Sequence, residues 1–183
     1  MESDEDLVGR ARLGDGAAFC ALVDRHRIVA LRVGYTIAGQ EAEDAVQEAM
    51  VKAFRHLDRF RAGSPFRPWL LAIVANEARN RRRAGHRHLA LALKVRERTA
   101  PALAAVAGSA EDDYLVRDQQ GLLLAAVTAL PDRDREIVAL RYFAGLTEAE
   151  TAAALDCPTG TVKSRLSRAL DRLRLALTEE AIP

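Results

Sequence analysis

Between residues 41 and 57 the apolar side chains Ala42, Ala45, Val46, Ala49, Met50, Ala53, Phe54 and Leu57 recur at steps of three and four. An α-helix turns once every ~3.6 residues, so this spacing gathers them into one stripe, whereas a strand would require alternation. The opposite side of that helix carries Glu43, Asp44, Gln47 and Glu48. The same rhythm returns in Leu70, Ile73, Val74 and Ala78, then in Leu122, Leu123, Ala126, Val127 and Leu130, and again in Ile137, Val138, Leu140 and Phe143. No stretch alternates apolar and polar residues long enough to make a sheet. Composition agrees: aromatics are only 5% of the chain, while Ala, Leu, Arg and Glu, which lose little side-chain freedom in helices, abound. The fold class expected is all-α, and 183 residues suffice for one ordinary domain or two small ones.

Glycine and proline divide these helical patterns. A first helix is expected near 4–13, stopped by Gly14-Asp15-Gly16, and a second from residue 17 carries Phe19, Leu22, Val23, Val29, Leu31 and Val33 until Gly39. Gly63, Ser64, Pro65 and Pro68 mark a loop over 58–68. From Trp69 another helix runs through Asn76, Arg79 and Asn80 into Arg81, Arg82 and Arg83, closing a compact helical domain near His88. Residues 89–111 are alanine-rich, contain Pro101, Gly108 and Ser109, and read as a linker with room for a short helix over 89–95. The organisation expected is a helical domain over 1–88, a linker over 89–111 and a second helical domain over 112–183.

In the second domain, Leu146-Thr147-Glu148-Ala149-Glu150 has the form of a capping box: Thr147 accepts an orphan amide of the first turn and Glu150 reaches back. The short helix that follows ends near Leu155, and after Asp156-Cys157-Pro158 a last helix runs from about 159 to 177. Two helices joined by so tight a turn form a helix-turn-helix. At ~100° per residue, Val162, Leu166, Ala169 and Leu173 share one side of the last helix, opposite Lys163, Ser164, Ser167 and Arg168, with Arg165 on a flank. In a major groove such donors reach base edges, and Arg suits guanine.

The net charge of +1 conceals an uneven distribution. Glu2, Asp4, Glu5 and Asp6 open the chain. Arg79, Arg81, Arg82, Arg83 and Arg87 crowd its middle, and Lys163, Arg165, Arg168, Arg172 and Arg174 its last helix. Phosphate contact is local and screened beyond ~8 Å at physiological salt, so two basic patches matter more than the total. Cys20 and Cys157 have neither disulfide nor zinc-ligand spacing. His26, His56, His86 and His88 read as surface or helix-face residues rather than ligands. No carboxylate cluster, phosphate-cradling glycine loop or nucleophile beside a base is evident, so neither an enzyme, a metal nor a cofactor is expected. The acidic start is no signal peptide, and no apolar run reaches the ~20 residues of a membrane span. A soluble, cytoplasmic protein with no membrane insertion is expected.

The segment 156–166, Asp-Cys-Pro-Thr-Gly-Thr-Val-Lys-Ser-Arg-Leu, resembles the fourth-domain helix-turn-helix of extracytoplasmic-function sigma factors of the sigma-70 family. Leu130-Pro131, Leu140-Arg141 and Gly145-Leu146-Thr147 fit the same family, as do Leu7-Val8, Gly14-Asp15 and Ala18-Phe19 at the front. Glu43-Asp44-Ala45-Val46-Gln47-Glu48 resembles the family's polymerase-docking helix. Pro68-Trp69-Leu70, Ala75-Asn76 and 79–83 resemble its −10-binding segment. The resemblance spans nearly the whole chain in the family's order. It departs at Ala149 and Thr151, where an aromatic and a larger aliphatic side chain would be expected. It also implies that neither a third sigma domain nor an appended carboxy-terminal regulatory domain is present.

What the resemblance implies is promoter recognition by two sigma domains, domain 2 and domain 4. Lys163, Ser164 and Arg168 would make base or base-proximal contacts to the −35 duplex. Arg165 and Arg141 would clamp phosphates, with Thr159 and Thr161 donating at the helix start. On the −10 side, Asn76, Arg79, Asn80 and Arg83 would follow the non-template strand. The loop from Arg61 to Pro68 would capture a flipped base; Trp69, and Phe66 within the loop, are each either a core anchor or a stacking platform. Asp44, Gln47 and Glu48 would dock on the clamp helices of the largest subunit of core RNA polymerase. Promoter elements two helical turns apart lie ~60–80 Å apart, beyond a compact chain of radius of gyration ~16 Å but within reach of a linker at ~3.3 Å per residue. Free in solution, the implication is that the domains fold onto each other or are held by an anti-sigma factor. The rival reading is a helix-turn-helix regulator acting without polymerase, which leaves Asp44, Gln47, Glu48 and residues 79–83 without a role.

Overall fold

The computed structural model of the chain describes residues 2–61, 63–97 and 114–179. Among these residues regular structure is helical throughout: α1 (Asp4–Arg12), α2 (Gly16–Ala38), α3 (Ala42–Arg55), α4 (Phe66–Glu97), α5 (Tyr114–Ala129), α6 (Asp132–Val138), α7 (Glu148–Ala154) and α8 (Thr159–Glu179). Short 3-10 turns lead into and out of α3, and α6 passes into a single π-helical turn over Ala139–Phe143.

Side-chain caps start several of these helices. Ser3 and Asp6 close a capping box on α1, the Asp15 carboxylate accepts from the amides of Ala17 and Ala18 on α2, and Thr147 with Glu150 closes the expected box on α7. Where α2 crosses α3, Gly34 lets the helices approach closely: a Cβ there would meet a Val46 methyl at 3.0 Å, a tight contact from which that methyl would have to give way. Burial falls on most positions of the stripes expected, Leu123 being an exception at 42% exposed. Ala42, Ala45, Val46, Ala49, Ala53 and Leu57 are at most 5% exposed, and Val162 and Ala169 are fully buried.

Four apolar clusters organise the packing of the described residues, one of them joining Ile137, Ala152 and Val162 within the helix-turn-helix. At the front, Leu7 and Val8 of α1 meet Phe19 and Leu22 of α2 together with Phe60, Phe66 and Leu70. At the rear, Val127, Leu130 and Val138 close on Ala169 and Leu173 of α8. Between them lies a shared core in which Val33, Ile37, Val74, Ala75 and Ala78 of α2 and α4 pack with Ala139, Leu140, Ala144 and Leu146. Each large aliphatic side chain so buried contributes ~1.5–3 kcal/mol. The front and rear modules therefore share one continuous interior.

Four expectations change. α4 begins at Phe66 instead of Trp69, because Pro68 in a first turn withholds an amide that has no helical partner there. α4 also continues past His88 to Glu97, so the short helix expected over 89–95 is its prolongation: strong helix formers fill this stretch and the next proline is Pro101. The remainder of the expected linker lies outside the described residues. Phe54, assigned to the buried stripe, is 52% exposed and packs its ring on Phe19 at 4.9 Å. His26, read as a surface or helix-face residue, lies on the buried face of α2, with Nε2 2.7 Å from the Asp4 carboxylate.

Candidate promoter and polymerase interface

The turn between α7 and α8 is made by Asp156, whose φ of +48° lies in the left-handed region where Asp is tolerated through local hydrogen bonding. It delivers α8 with Val162, Ala169 and Leu173 inward and Lys163, Ser164, Ser167 and Arg168 exposed. Thr159 is exposed and Thr161 half-buried at the helix start. Arg165 is half-buried on the flank, in an open concavity of about 350 Å³ shared with Arg133, Arg168 and Arg172 and with the carboxylates of Asp132 and Asp134, the second of which accepts from Arg172. Arg141 sits elsewhere: half-buried, it donates to the Leu146 carbonyl and braces the loop before α7. Sequence reasoning did not single out Arg133. Arg165, Arg168 and Arg172 follow from helical spacing, but Arg133 reaches them only because α6 packs on α8.

On α4, Asn76, Asn80 and Arg83 are exposed on one face. Arg79 lies on the adjoining flank, its Nε and one terminal nitrogen donating to the two carboxylate oxygens of Glu136 at 2.6 and 2.8 Å. Glu136 is 3% exposed; burial pushes its carboxyl up, against the pull of Arg79. Phe66 is buried, its ring 5.8 Å from Phe60 and 5.6 Å from Trp69. Trp69 is half-buried and lies 5.0 Å from Phe60, anchoring the start of α4 while keeping one edge toward solvent. Arg61 is exposed at the loop start, and beside this loop a concavity of about 590 Å³ is walled by Phe60, Ser64, Pro65 and Phe66 together with Val8 and Arg12 of α1.

On α3, Asp44 and Gln47 are exposed and Glu48 is half-exposed. Asp44 lies 3.2 Å from Arg81 and Glu48 3.8 Å from Lys52. Exposed pairs of this kind are worth ~0–1 kcal/mol, so both carboxylates remain available to a partner.

A family model of sigma-70 region 2 matches residues 22–88, and one of sigma-70 region 4 matches residues 120–173. RNA polymerase sigma-H factor of Pseudomonas aeruginosa is 35% identical, covering 97% of this chain and 95% of its own length. ECF RNA polymerase sigma-E factor of Escherichia coli is 34% identical, covering 93% of this chain and 92% of its own. The chain belongs to the extracytoplasmic-function sigma factors of the sigma-70 family. This sigma factor carries region 2 on α2 to α4 and region 4 on α5 to α8. Its fold is that of CnrH, solved in complex with the cytosolic domain of CnrY, at a TM-score of 0.73 and 24% identity over 98% of this chain and 100% of that one. It also resembles the sigma factor RpoE of Bartonella quintana, solved with the anti-sigma factor NepR, at a TM-score of 0.61 and 26% identity over 86% and 97%.

Proposed function

We propose that this alternative sigma factor binds core RNA polymerase through Asp44, Gln47 and Glu48, reads the −35 duplex with α8, and holds the −10 strand along α4. The observation that carries this reading is that α3, which buries Ala42, Ala45, Val46, Ala49 and Ala53, leaves Asp44 and Gln47 facing solvent in the same chain as an exposed helix-turn-helix. A regulator acting without polymerase has no use for the first of these. Residues 1–88 form the polymerase and −10 module, 112–183 the −35 module, and 89–111 connect them, with α4 running into the connection.

On α8, Lys163, Ser164 and Arg168 reach base edges, while Arg165 positions the helix on phosphate. Arg133 and Arg172 join Arg165 in that clamp; Arg141 stays with the Leu146 carbonyl. Thr159 and Thr161 donate to phosphate at the start of α8. Asn76, Asn80 and Arg83 track the strand, joined by Arg79, and Arg61 flanks the loop that receives a flipped base. Phe66 serves that loop from within, as part of its floor. The site of action is the cytoplasm, where polymerase is, and an anti-sigma factor is the expected regulator.

D44K and E48K are expected to weaken capture of purified core polymerase at least tenfold with the helical circular dichroism unchanged. Run-off transcription from candidate promoters should fall in parallel. Wild-type binding by both variants would defeat the docking assignment.

A further inference from the structure

α1 lies ahead of the residues matched to sigma-70 region 2, and neither the docking face nor the strand-binding face includes it. Its last residue, Arg12, nevertheless reaches the far end of α3. The Arg12 Nε donates to the Leu57 carbonyl at 3.0 Å, and one terminal nitrogen donates to the carbonyls of Asp58 and Phe60 at 2.6 and 2.5 Å. α3 has ended at Arg55, and the chain turns through Leu57–Arg59 before it enters the loop that begins at Arg61. Carbonyls beyond a helix end lack the amides of a further turn and need other donors. A guanidinium, planar and with its donors in a fixed fork, holds several carbonyls in one arrangement; an ammonium is a single rotatable point.

α1 is itself fixed. Leu7, Val8 and Ala11 are buried in the front cluster. At its other end Asp4 accepts from Arg25 and pairs with His26, whose ring lies 5.6 Å from that of Phe66. α1 therefore grips the entry of the loop through Arg12 and its exit through Asp4, His26 and Phe66. Asp4, Val8 and Arg12 all line the concavity of about 590 Å³ beside that loop, together with Phe60 and Phe66.

We infer that Arg12 is a positioning residue for base capture. By fixing the carbonyls of Leu57, Asp58 and Phe60 it presets the loop, and with it the concavity, in the shape that admits an unstacked base of the −10 strand. This rests on the reading of the loop as the receiver of a flipped base. A loop that must be ordered at each capture loses affinity to that ordering, whereas one already held loses less. An Arg12 that served the fold alone would, when removed, weaken every activity of the front module together. An Arg12 that presets the loop controls the part of strand binding that depends on the captured base.

Holoenzyme assembled from the full chain and core polymerase is titrated with a fluorescent single-stranded oligonucleotide bearing the −10 sequence of a promoter it transcribes. Copies made abasic at one position at a time are titrated beside it. Wild type is expected to bind one abasic copy about fivefold or more weakly than the intact strand, the loss that removal of a stacked base entails. R12A is expected to bind the two within about twofold of each other, with core-polymerase capture and −35 duplex binding at wild-type strength. R12K keeps the charge without the fork, and it decides the matter should R12A fail to fold: it is expected to lose more than half of the wild-type ratio. A wild-type ratio in R12K or in folded R12A, or a parallel loss of core capture and strand binding, would overturn the role of Arg12 and leave base capture standing. Equal binding of every abasic copy by wild type would instead remove base capture by the loop, and the role of Arg12 with it.

Discussion

Thr151 stands where the family pattern calls for a larger aliphatic side chain, and it is fully buried with its hydroxyl unpartnered. A buried hydroxyl without a partner carries its desolvation cost uncompensated, so T151V, nearly isosteric, is expected to raise stability by ~1 kcal/mol in denaturant melts. A loss of stability would mean that the hydroxyl is satisfied after all. Asp4 is the opposite case. Burial pushes its carboxyl up, but Arg25 at 2.5 Å and His26 at 2.7 Å outweigh this and hold it below the ordinary 3.8. With the folded value depressed, the stabilisation is complete above the unfolded value of ~3.9 and is lost as pH falls through the folded one. D4N is therefore expected to be less stable than wild type at neutral pH and to flatten the acid limb of the stability curve below pH ~4. Parallel curves for the two proteins would exclude the pairing.

At the scale of elements, the roles proposed for α8 divide by exposure. Arg168 is exposed beside Ser164 and Arg165 is half-buried, both lining the concavity with Arg133 and Arg172. R168A is expected to cost ~1–3 kcal/mol of discrimination at one base pair of the −35 element. R165A is expected to weaken all duplexes alike and to lower the slope of log affinity against log salt by ~1. Fluorescence anisotropy of holoenzyme on matched and mismatched duplexes distinguishes the two, and equal effects would merge the roles. The facing of α8 was legible from period alone, because a helix buried on one side must repeat its apolar residues every turn. The bracing role of Arg141 was not: period says which side of a helix is outward, not whether a loop carbonyl such as that of Leu146 waits there.

For the molecule as a whole, the decisive feature is that Leu140 belongs to the rear module by sequence and to the shared core by position. L140A is expected to cost ~2–5 kcal/mol. Because its neighbours include Val33, Ile37 and Val74, the free chain should melt as one calorimetric transition, and L140A should lower that single transition. Two well-separated transitions in the wild type would show that the modules do not stabilise each other. Division of the chain into two modules was legible in its punctuation, since Pro101 and Gly108 interrupt the helical pattern. Their mutual packing was not, because a stripe such as Ile137, Val138 and Leu140 records that something covers it and is silent about what.

Local chemistry along the chain was enough to determine most of the helices and of their buried stripes, the Thr147 cap and the outward residues of α3 and α8, because each follows from spacing within a few turns. Tertiary structure alone decided that His26 meets Asp4, that Phe66 turns inward among Phe60 and Trp69, and that Glu136 claims Arg79. These pairs lie far apart in sequence or depend on the angle at which helices cross. Desolvation in the interior gives them their strength, and no periodicity records it.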